Sequence, residues 1–486
     1  MGDVLNALEP RGLWRHFEAL TRIPRPSGKE AAAAAYVREV ASAHGFPVET
    51  DAVGNVVVHV PASPGKESAA TVALQGHLDM VCEKNREVSF DFDQDAIVPE
   101  IRGEWVHARG TTLGADNGIG VAAALAAATE PGLVRPPLDL LFTVDEETGL
   151  TGAQRLEGKL LRARTLLNLD SEEDGVLFVG CAGGTDTTLT LPAGRMAHEP
   201  GDRPFRLEVS GLRGGHSGLN IVENRGNAIK VAAHALFTAM QRGIAFQIAS
   251  LNGGGKHNAI PREAEAVLLL APGEERRLQA VLEETLRGFQ DVLAGVDDGL
   301  AVRLLPGSDG GRVLQPPAAD RLLRLLVALP HGVLAMSRAI PGLVETSSNL
   351  AVVETRESVV RIVTSSRSSV APALTAVLAQ IEAQGTLAGA EAELTNGYPG
   401  WKPNLASPVL GVVRRVYAEV FGKEPQVTAI HAGLECGLIG EKVPGMDMVS
   451  FGPQLEGVHS PDERVHVPSV ARFWRALGRT LEELAG

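Results

Sequence analysis

Four clusters of carboxylates and imidazoles stand at the ends of apolar runs, and this placement constrains the fold more than any other feature. Thr71–Gln75 (TVALQ) leads into Gly76-His77-Leu78-Asp79, and Leu138–Val144 (LDLLFTV) into Asp145-Glu146-Glu147-Thr148-Gly149. Thr165–Leu169 (TLLNL) ends at Asp170, and Gly114-Ala115-Asp116-Asn117-Gly118 precedes the small-residue helical run Gly118–Thr129. Helical stretches at Ala31–Ala43, Gly118–Thr129 and Gly152–Leu161 separate these runs and Asn55–Val60. The alternation predicts an α/β fold, a mostly parallel sheet with helices on both faces. Sites in such sheets gather beyond the carboxyl ends of strands. Three of the four clusters fall there.

At 486 residues the chain is longer than the roughly 250–300 that one core usually serves. Its texture changes near residue 188, where Phe205–Val209 alternates like a half-exposed strand and a Gly-rich turn follows. Asn258-Ala-Ile-Pro then leads to a strand at Ala266–Leu270 and a helix at Glu274–Phe289. Asn349-Leu-Ala-Val leads likewise to a strand at Val359–Val363 and a helix at Val370–Ala383, an offset of 349 − 258 = 91. Residues 188–394 therefore read as an inserted α+β domain, internally duplicated, for lid and substrate recognition. Residues 1–187 and 395–486 read as one discontinuous catalytic, metal-binding domain.

Asp and Glu number 59 against 45 Lys and Arg, a net charge of −14, which disfavours a general nucleic-acid binder. The dispersed Cys82, Cys181 and Cys436 form no disulfide framework or CxxC knuckle and read as small buried hydrophobes. No apolar stretch reaches the ~18–20 residues of a membrane span, and MGDVLNALEP has no secretory pattern. A soluble cytoplasmic protein is expected, with no nucleic-acid or membrane partner.

Mixed imidazole and carboxylate ligands suit Zn²⁺, Mn²⁺ or Co²⁺ better than Ca²⁺ or Mg²⁺. On an extended segment His77 and Asp79 share one face, so the carboxylate can fix the imidazole tautomer. Of the adjacent Glu146 and Glu147, one can ligate metal while the other takes a proton from activated water. Singly, these features read as a loop cap, a solvated Glu pair, an N-cap and a turn. Their coincidence in one sheet favours chemistry. Gly114–Gly120 also invites reading as a phosphate cradle, but it lacks the Gly-Lys-Ser/Thr of a P-loop.

In order along the chain, these motifs and Gly457-Val458-His459-Ser460-Pro461 resemble the co-catalytic zinc peptidases that include aminoacylases and carboxypeptidase G. Within them the resemblance is closest to the aminoacyl-histidine dipeptidases, the bacterial carnosinases, and it spans nearly the whole chain. It implies two divalent metal ions, zinc first, with manganese or cobalt as alternatives. Asp116 would bridge them, His77 and Asp170 would complete one site, and Glu147 and His459 the other. It further implies Glu146 as general base, Asp79 as the carboxylate orienting His77, and a cis peptide between Asp116 and Asn117. His459 has no other support, being one of thirteen histidines.

His216, in Gly214-Gly215-His216-Ser217-Gly218, resembles an inserted-domain histidine that reaches the scissile carbonyl. Arg367, in Ser365-Ser366-Arg367-Ser368-Ser369, resembles an arginine that holds a substrate carboxylate, a task suited to a guanidinium. Read without the family, the two are a polar loop histidine and a surface strand cap. Glu435, in Gly433-Leu434-Glu435-Cys436-Gly437, offers a carboxylate to a free α-ammonium, or is a surface Glu after a turn. With one repeat supplying His216 and the other Arg367, a homodimer is allowed but not required. The expected activity is metal-dependent hydrolysis of dipeptides with a free amino terminus, carnosine-like Xaa-His peptides among them. A deacylase or tripeptidase on the same scaffold, and a non-catalytic peptide binder, are the alternatives.

Overall fold

The computed structural model describes residues 4–5, 7–307 and 311–486. It divides into two compact units, Met1–Cys181 with Trp401–Ala429 and Leu434–Gly486, and Ala182–Gly400 with Ile430–Gly433. The sequence reading put the boundaries at 187/188 and 394/395. The chain leaves the first unit between the adjacent strands Val176–Cys181 and Gly183–Pro192, where no change of composition marks the crossing.

The first unit is built on strands β1 (Val48–Thr50), β2 (Val56–Val60), β3 (Val72–His77), β4 (Leu138–Thr143), β5 (Thr165–Asn168) and β6 (Val176–Cys181). Two later strands, Asp447–Ser450 and Gln426–Ile430, complete one sheet in the order β1, β2, β4, β3, β5, Asp447–Ser450, β6, Gln426–Ile430. β4, β3, β5 and Asp447–Ser450 run parallel, whereas β1, β2 and β6 pair antiparallel. The sheet is therefore mixed, with its parallel core at the candidate site. Every residue of β3 and β4 is buried, as expected of parallel strands covered on both faces. Helix α1 (Arg11–Thr21) packs on α2 (Ala115–Thr129), whose alanines and glycines let it lie close to β3.

The second unit contains strands β7 (Gly183–Pro192), β8 (Arg203–Ser210), β9 (Phe246–Gly253), β10 (Ala264–Leu270), β11 (Ala301–Pro306), β12 (Val344–Thr355), β13 (Val359–Ser368) and β14 (Glu391–Tyr398). Its helices are α3 (Ala228–Gln241), α4 (Glu275–Val292), α5 (Pro316–Ala328) and α6 (Ala371–Ala388). The sheet order is β11-β8-β10-β9-β12-β13-β7-β14. Along the chain the halves run α3-β9-β10-α4-β11 and α5-β12-β13-α6-β14, the second with an additional strand, Gly332–Met336, that follows α5 and pairs with β12. The halves meet at the single register pair Gly253–Val353 of β9 and β12. Leu189, Leu191, Leu207, Val360 and Ile362 of the sheet join Leu236, Leu282, Leu322 and Ile381 of the helices in one core. Strand alternation turns Asp186, Thr188, Arg361, Ser365 and Arg367 to the opposite face. Among the described residues no helix is long and apolar enough to cross a membrane. All three cysteines are free, Cys181 and Cys436 buried and Cys82 partly so.

Candidate active site

Asp116 organises the first unit's acidic centre. Its Oδ1 lies 3.0 Å from His77 Nε2 at the end of β3, and its Oδ2 lies 3.2 Å from His459 Nε2. Asp170, just beyond β5, approaches His77 Nε2 to 3.4 Å, and Glu147 approaches His459 Nε2 to 3.0 Å. Ligand atoms thus gather in overlapping groups, His77-Asp116-Asp170, Asp116-Glu147-His459 and His77-Glu146-Glu147. Asp170 Oδ1 and Glu147 Oε1 are buried without a hydrogen bond. Mixed N/O donors, two sets sharing one carboxylate, and buried oxygens left unsatisfied fit a pair of divalent transition-metal ions.

The local backbone is shaped for this. The Asp116–Asn117 peptide is cis, and both residues depart from helical geometry at the start of α2. The Asn117 amide donates to Leu169 O at 2.8 Å. A Cβ on Gly76 would collide with Asn117 Oδ1, and one on Gly120 with Leu169 O. Glycine is therefore needed beside the candidate ligands at both places. Asp79 accepts from Ser27 Oγ at 2.7 Å and from the backbone N–H groups of Glu146 and Glu147 at 3.0 and 3.1 Å. It lies 3.4 Å from His77 Nδ1, so it holds the Glu146-Glu147 turn more closely than it holds the imidazole.

Charge follows geometry. Burial alone would lower the pKa of His77, but Asp170, Asp116 and Asp79 outweigh it and hold it well above the usual value. Hydrogen bonds donated to Asp116 and Glu147 push His459 up to about 11. Burial would raise Asp116, yet His459 and His77 keep it well below the carboxylate range. Burial, with Asp170, Glu435 and Glu147 nearby, raises Glu146 well above its ordinary value despite His77. Protonated imidazoles here balance a concentration of negative charge, a task that bound cations would take over while releasing those protons.

Glu435 also lies in this unit, 1% exposed at the start of α7 (Glu435–Lys442). Its Oε2 accepts from Gln75 Nε2 at 2.5 Å and Thr143 Oγ1 at 2.7 Å, while Oε1 is buried and unpartnered. Burial raises its pKa to about 7. It is not the surface residue its Gly-rich surroundings suggest.

His216 and Arg367 belong to the second unit. His216 Nδ1 accepts from the backbone N–H groups of Gly218 and Leu219 at 3.2 and 3.1 Å. That fixes the tautomer with the proton on Nε2. Burial, then the charges of Arg367 and His257, lower its pKa to about 4, so it is a neutral donor near pH 7. Arg367 is buried on β13, where its Nη1 donates to Tyr398 Oη at 2.6 Å and its Nε has no partner. His431 joins this unit through a 2.7 Å hydrogen bond between its Nε2 and Ser347 Oγ.

A model of the peptidase family M20/M25/M40 matches residues 73–483. The chain belongs to that family. This M20 chain is 42% identical over 480 residues to the cytosol non-specific dipeptidase of Escherichia coli (strain K12), covering 99% of both. It superposes on the crystal structure of aminoacylhistidine dipeptidase from Vibrio alginolyticus with a TM-score of 0.93 and 39% identity, over 99% of this chain and 98% of that one. A tripeptidase from Staphylococcus aureus shares the fold, with a TM-score of 0.56 and 17% identity over 98% and 99% of the two chains.

The M20 centre has supports that sequence reasoning missed. Buried Glu463 accepts from the backbone N–H groups of Leu113, Gly114, Ala115 and Asp116 at 2.7–3.2 Å, capping the segment that carries Asp116. Buried Arg25 donates to Leu78 O, Asp79 O and Gly114 O at 2.9, 2.8 and 2.5 Å, tying together the segments that carry His77 and Asp116. Neither stands in a recognisable motif. The nearest signal is that Glu463 closely follows Gly457-Val458-His459-Ser460-Pro461.

Proposed function

We propose that this M20 peptidase hydrolyses dipeptides with a free amino terminus, Xaa-His peptides among them, using two divalent metal ions, zinc first and manganese or cobalt as alternatives. The observation that carries this reading is Asp116, each of whose carboxylate oxygens faces a different imidazole. In it, His77, Asp116 and Asp170 would hold one ion, and Asp116, Glu147 and His459 would hold the other. When bound, such a pair lowers the pKa of water and polarises an amide carbonyl.

The remaining work falls to the chain's own side chains. Glu146 takes a proton from the attacking water and passes it to the departing amine nitrogen. Asp79 positions Glu146 and Glu147 through their backbone N–H groups. In the second unit, His216 offers Nε2–H to the oxyanion, and Arg367 offers its guanidinium to the substrate's α-carboxylate. Glu435, with one oxygen unpartnered, is the proposed counter-charge for the α-ammonium. The two dipeptidases similar over full length support peptide hydrolysis over deacylation. A cytoplasmic location is part of the reading, in keeping with the name of the Escherichia coli relative.

The test is metal analysis joined to an assay. The chain is stripped with chelator, reloaded with zinc, manganese or cobalt, and given an Xaa-His dipeptide, a tripeptide and an N-acetyl amino acid. The reading requires two ions per chain and preferential cleavage of the dipeptide, lost on chelation and regained on reloading. Preferential cleavage of the acetylated compound or the tripeptide would instead establish a deacylase or tripeptidase.

A further inference from the structure

Arg367 is flanked on both neighbouring strands. On β7 its register partner is Gly184, and the space a side chain would fill there is taken by Tyr398, whose hydroxyl would lie 2.6 Å from a Gly184 Cβ. On β12 its partner is Ser347, whose Oγ lies 2.7 Å from His431 Nε2. Direct partners in a sheet present their side chains on one face, with Cβ atoms ~5 Å apart. The hydroxyl that holds His431 therefore stands beside Arg367, as Tyr398 does from the other strand. His431 is buried and belongs to the segment Ile430–Gly433, which joins the second unit from far along the chain.

The backbone of His431 reaches a second group. A Cβ on Gly218 would collide with His431 O and lie 3.1 Å from His216 Cε1, so glycine lets the His216 loop close against that carbonyl. Gly218 is also one of the two residues whose N–H groups donate to His216 Nδ1 and fix its tautomer. Burial, then the charge of Arg367, keeps the His431 ring neutral near pH 7. Neutrality matters beside a group that must bind an anion. A carboxylate at this position would capture the guanidinium in an ion pair, and an apolar side chain would leave the buried Ser347 Oγ without its partner.

We propose that His431 is a positioning residue that sets Arg367 and His216 relative to each other, so that one substrate meets the guanidinium with its α-carboxylate and the imidazole with its scissile carbonyl at the same time. Its side chain is anchored through Ser347 beside Arg367, and its carbonyl backs the turn that aims His216. The inference rests on the dipeptidase reading, with Arg367 as ligand of the α-carboxylate and His216 as donor to the oxyanion.

Hydrolysis of Ala-His and of its C-terminal amide by the metal-loaded enzyme tests it. The unmodified chain is expected to favour the free acid by about 10²-fold in kcat/KM, the worth of a charge-assisted hydrogen bond to the carboxylate. His431→Ala should cut that preference to about tenfold or less, raising KM for Ala-His through Arg367 and lowering kcat through His216. His431→Gln, whose amide can still meet Ser347 Oγ, should restore most of both. Ser347→Ala, a small change that keeps the imidazole, should move the acid-to-amide ratio in the same direction, and the double variant should add little to either. Equal losses on both substrates at unchanged KM are what a smaller folded fraction produces, and they overturn the proposal. So does a His431→Gln variant no better than His431→Ala. An unmodified chain indifferent to the amide overturns Arg367 as carboxylate ligand and this proposal with it. Failure to cleave Ala-His at all overturns the dipeptidase reading instead.

Discussion

The two units bury the same residue types and shift them in opposite directions. In the first, His77 and His459 stand among Asp116, Glu147 and Asp170 and are pushed towards the protonated form. In the second, burial and the charge of Arg367 lower His216 and His431 to about 4. A carboxylate-rich centre that recruits protons is one that cations can occupy. A cluster of neutral imidazoles around an arginine is one that can donate hydrogen bonds to anionic or developing-anionic oxygens. The difference suggests a division of labour, with cation chemistry in one unit and recognition of substrate oxygens in the other.

Substitutions in the first unit should therefore reach kcat and metal content. Asp116→Asn has the largest expected effect, because it weakens both ligand sets at once. Metal analysis should show substoichiometric loading, and hydrolysis should fall further than in any other single variant. Glu146→Gln should lower kcat by about 10³-fold while metal content is kept, since on the proposed reading it removes only the proton carrier. Equal loss of metal in both variants would show that Glu146 is a ligand and would blur the assignment of the pair.

How far this was legible in sequence differs between the units. Asp116, His77, Glu147 and Asp170 lie within or next to apolar strands and a small-residue helix whose periodicity is visible, so local patterning placed them together. Glu463 satisfies four backbone N–H groups some 350 residues away, a relation with no local signature. Polar Gln75 and Asn168 interrupt apolar runs because they are linked to each other at 2.5 Å and, through Gln75, to Glu435. In the second unit β13 runs to Ser368, although its end reads SSRSS. Serines favour turns, but pairing on both sides with β12 and β7 overrides that preference. Asn349 likewise lies within β12 and not ahead of a strand, which obscured the matching strand order of the two halves.

Acid stability sharpens the contrast. His431 is buried and its pKa falls from 6.5 to about 4 in the fold. Between those values the unfolded chain binds a proton that the native state refuses, so native stability falls as pH drops through 6.5 and levels off below about 4. Above 6.5 both states are neutral at this site and it contributes no pH dependence. The cost at low pH is about 3 kcal/mol. Urea unfolding of His431→Gln and the unmodified chain, compared at about pH 7 and pH 4, should show the variant losing less stability on acidification by about that amount. An unchanged pH dependence would mean that His431 is protonated in the native state, removing one half of the contrast.

Asp79 sits between catalysis and structure. Its carboxylate receives the N–H groups of Glu146 and Glu147, so Asp79→Asn should misplace the proposed base and the proposed ligand together. A loss of about 10- to 100-fold in kcat is expected, with weakened metal affinity read by competition with a chelator. A kcat loss without any change in affinity would assign Asp79 to Glu146 alone.

The smallest effect should come from Tyr398, and it bears directly on what the second unit does. Its hydroxyl meets Arg367 Nη1 at 2.6 Å, and a Cβ on Gly184 would lie 2.6 Å from that hydroxyl, so the strand leaves room for the ring by carrying no side chain there. Tyr398→Phe keeps the ring and removes the hydrogen bond, freeing the guanidinium to sample orientations that cannot meet a carboxylate. KM for a dipeptide should rise about three- to tenfold with kcat nearly unchanged, because a positioning bond to a binding group is lost and no group acting on the scissile bond is altered. Gly184→Ala should produce the same split by displacing the ring. If kcat falls in both variants while KM holds, Arg367 acts on the transition state, and the separation of chemistry from recognition between the units does not hold.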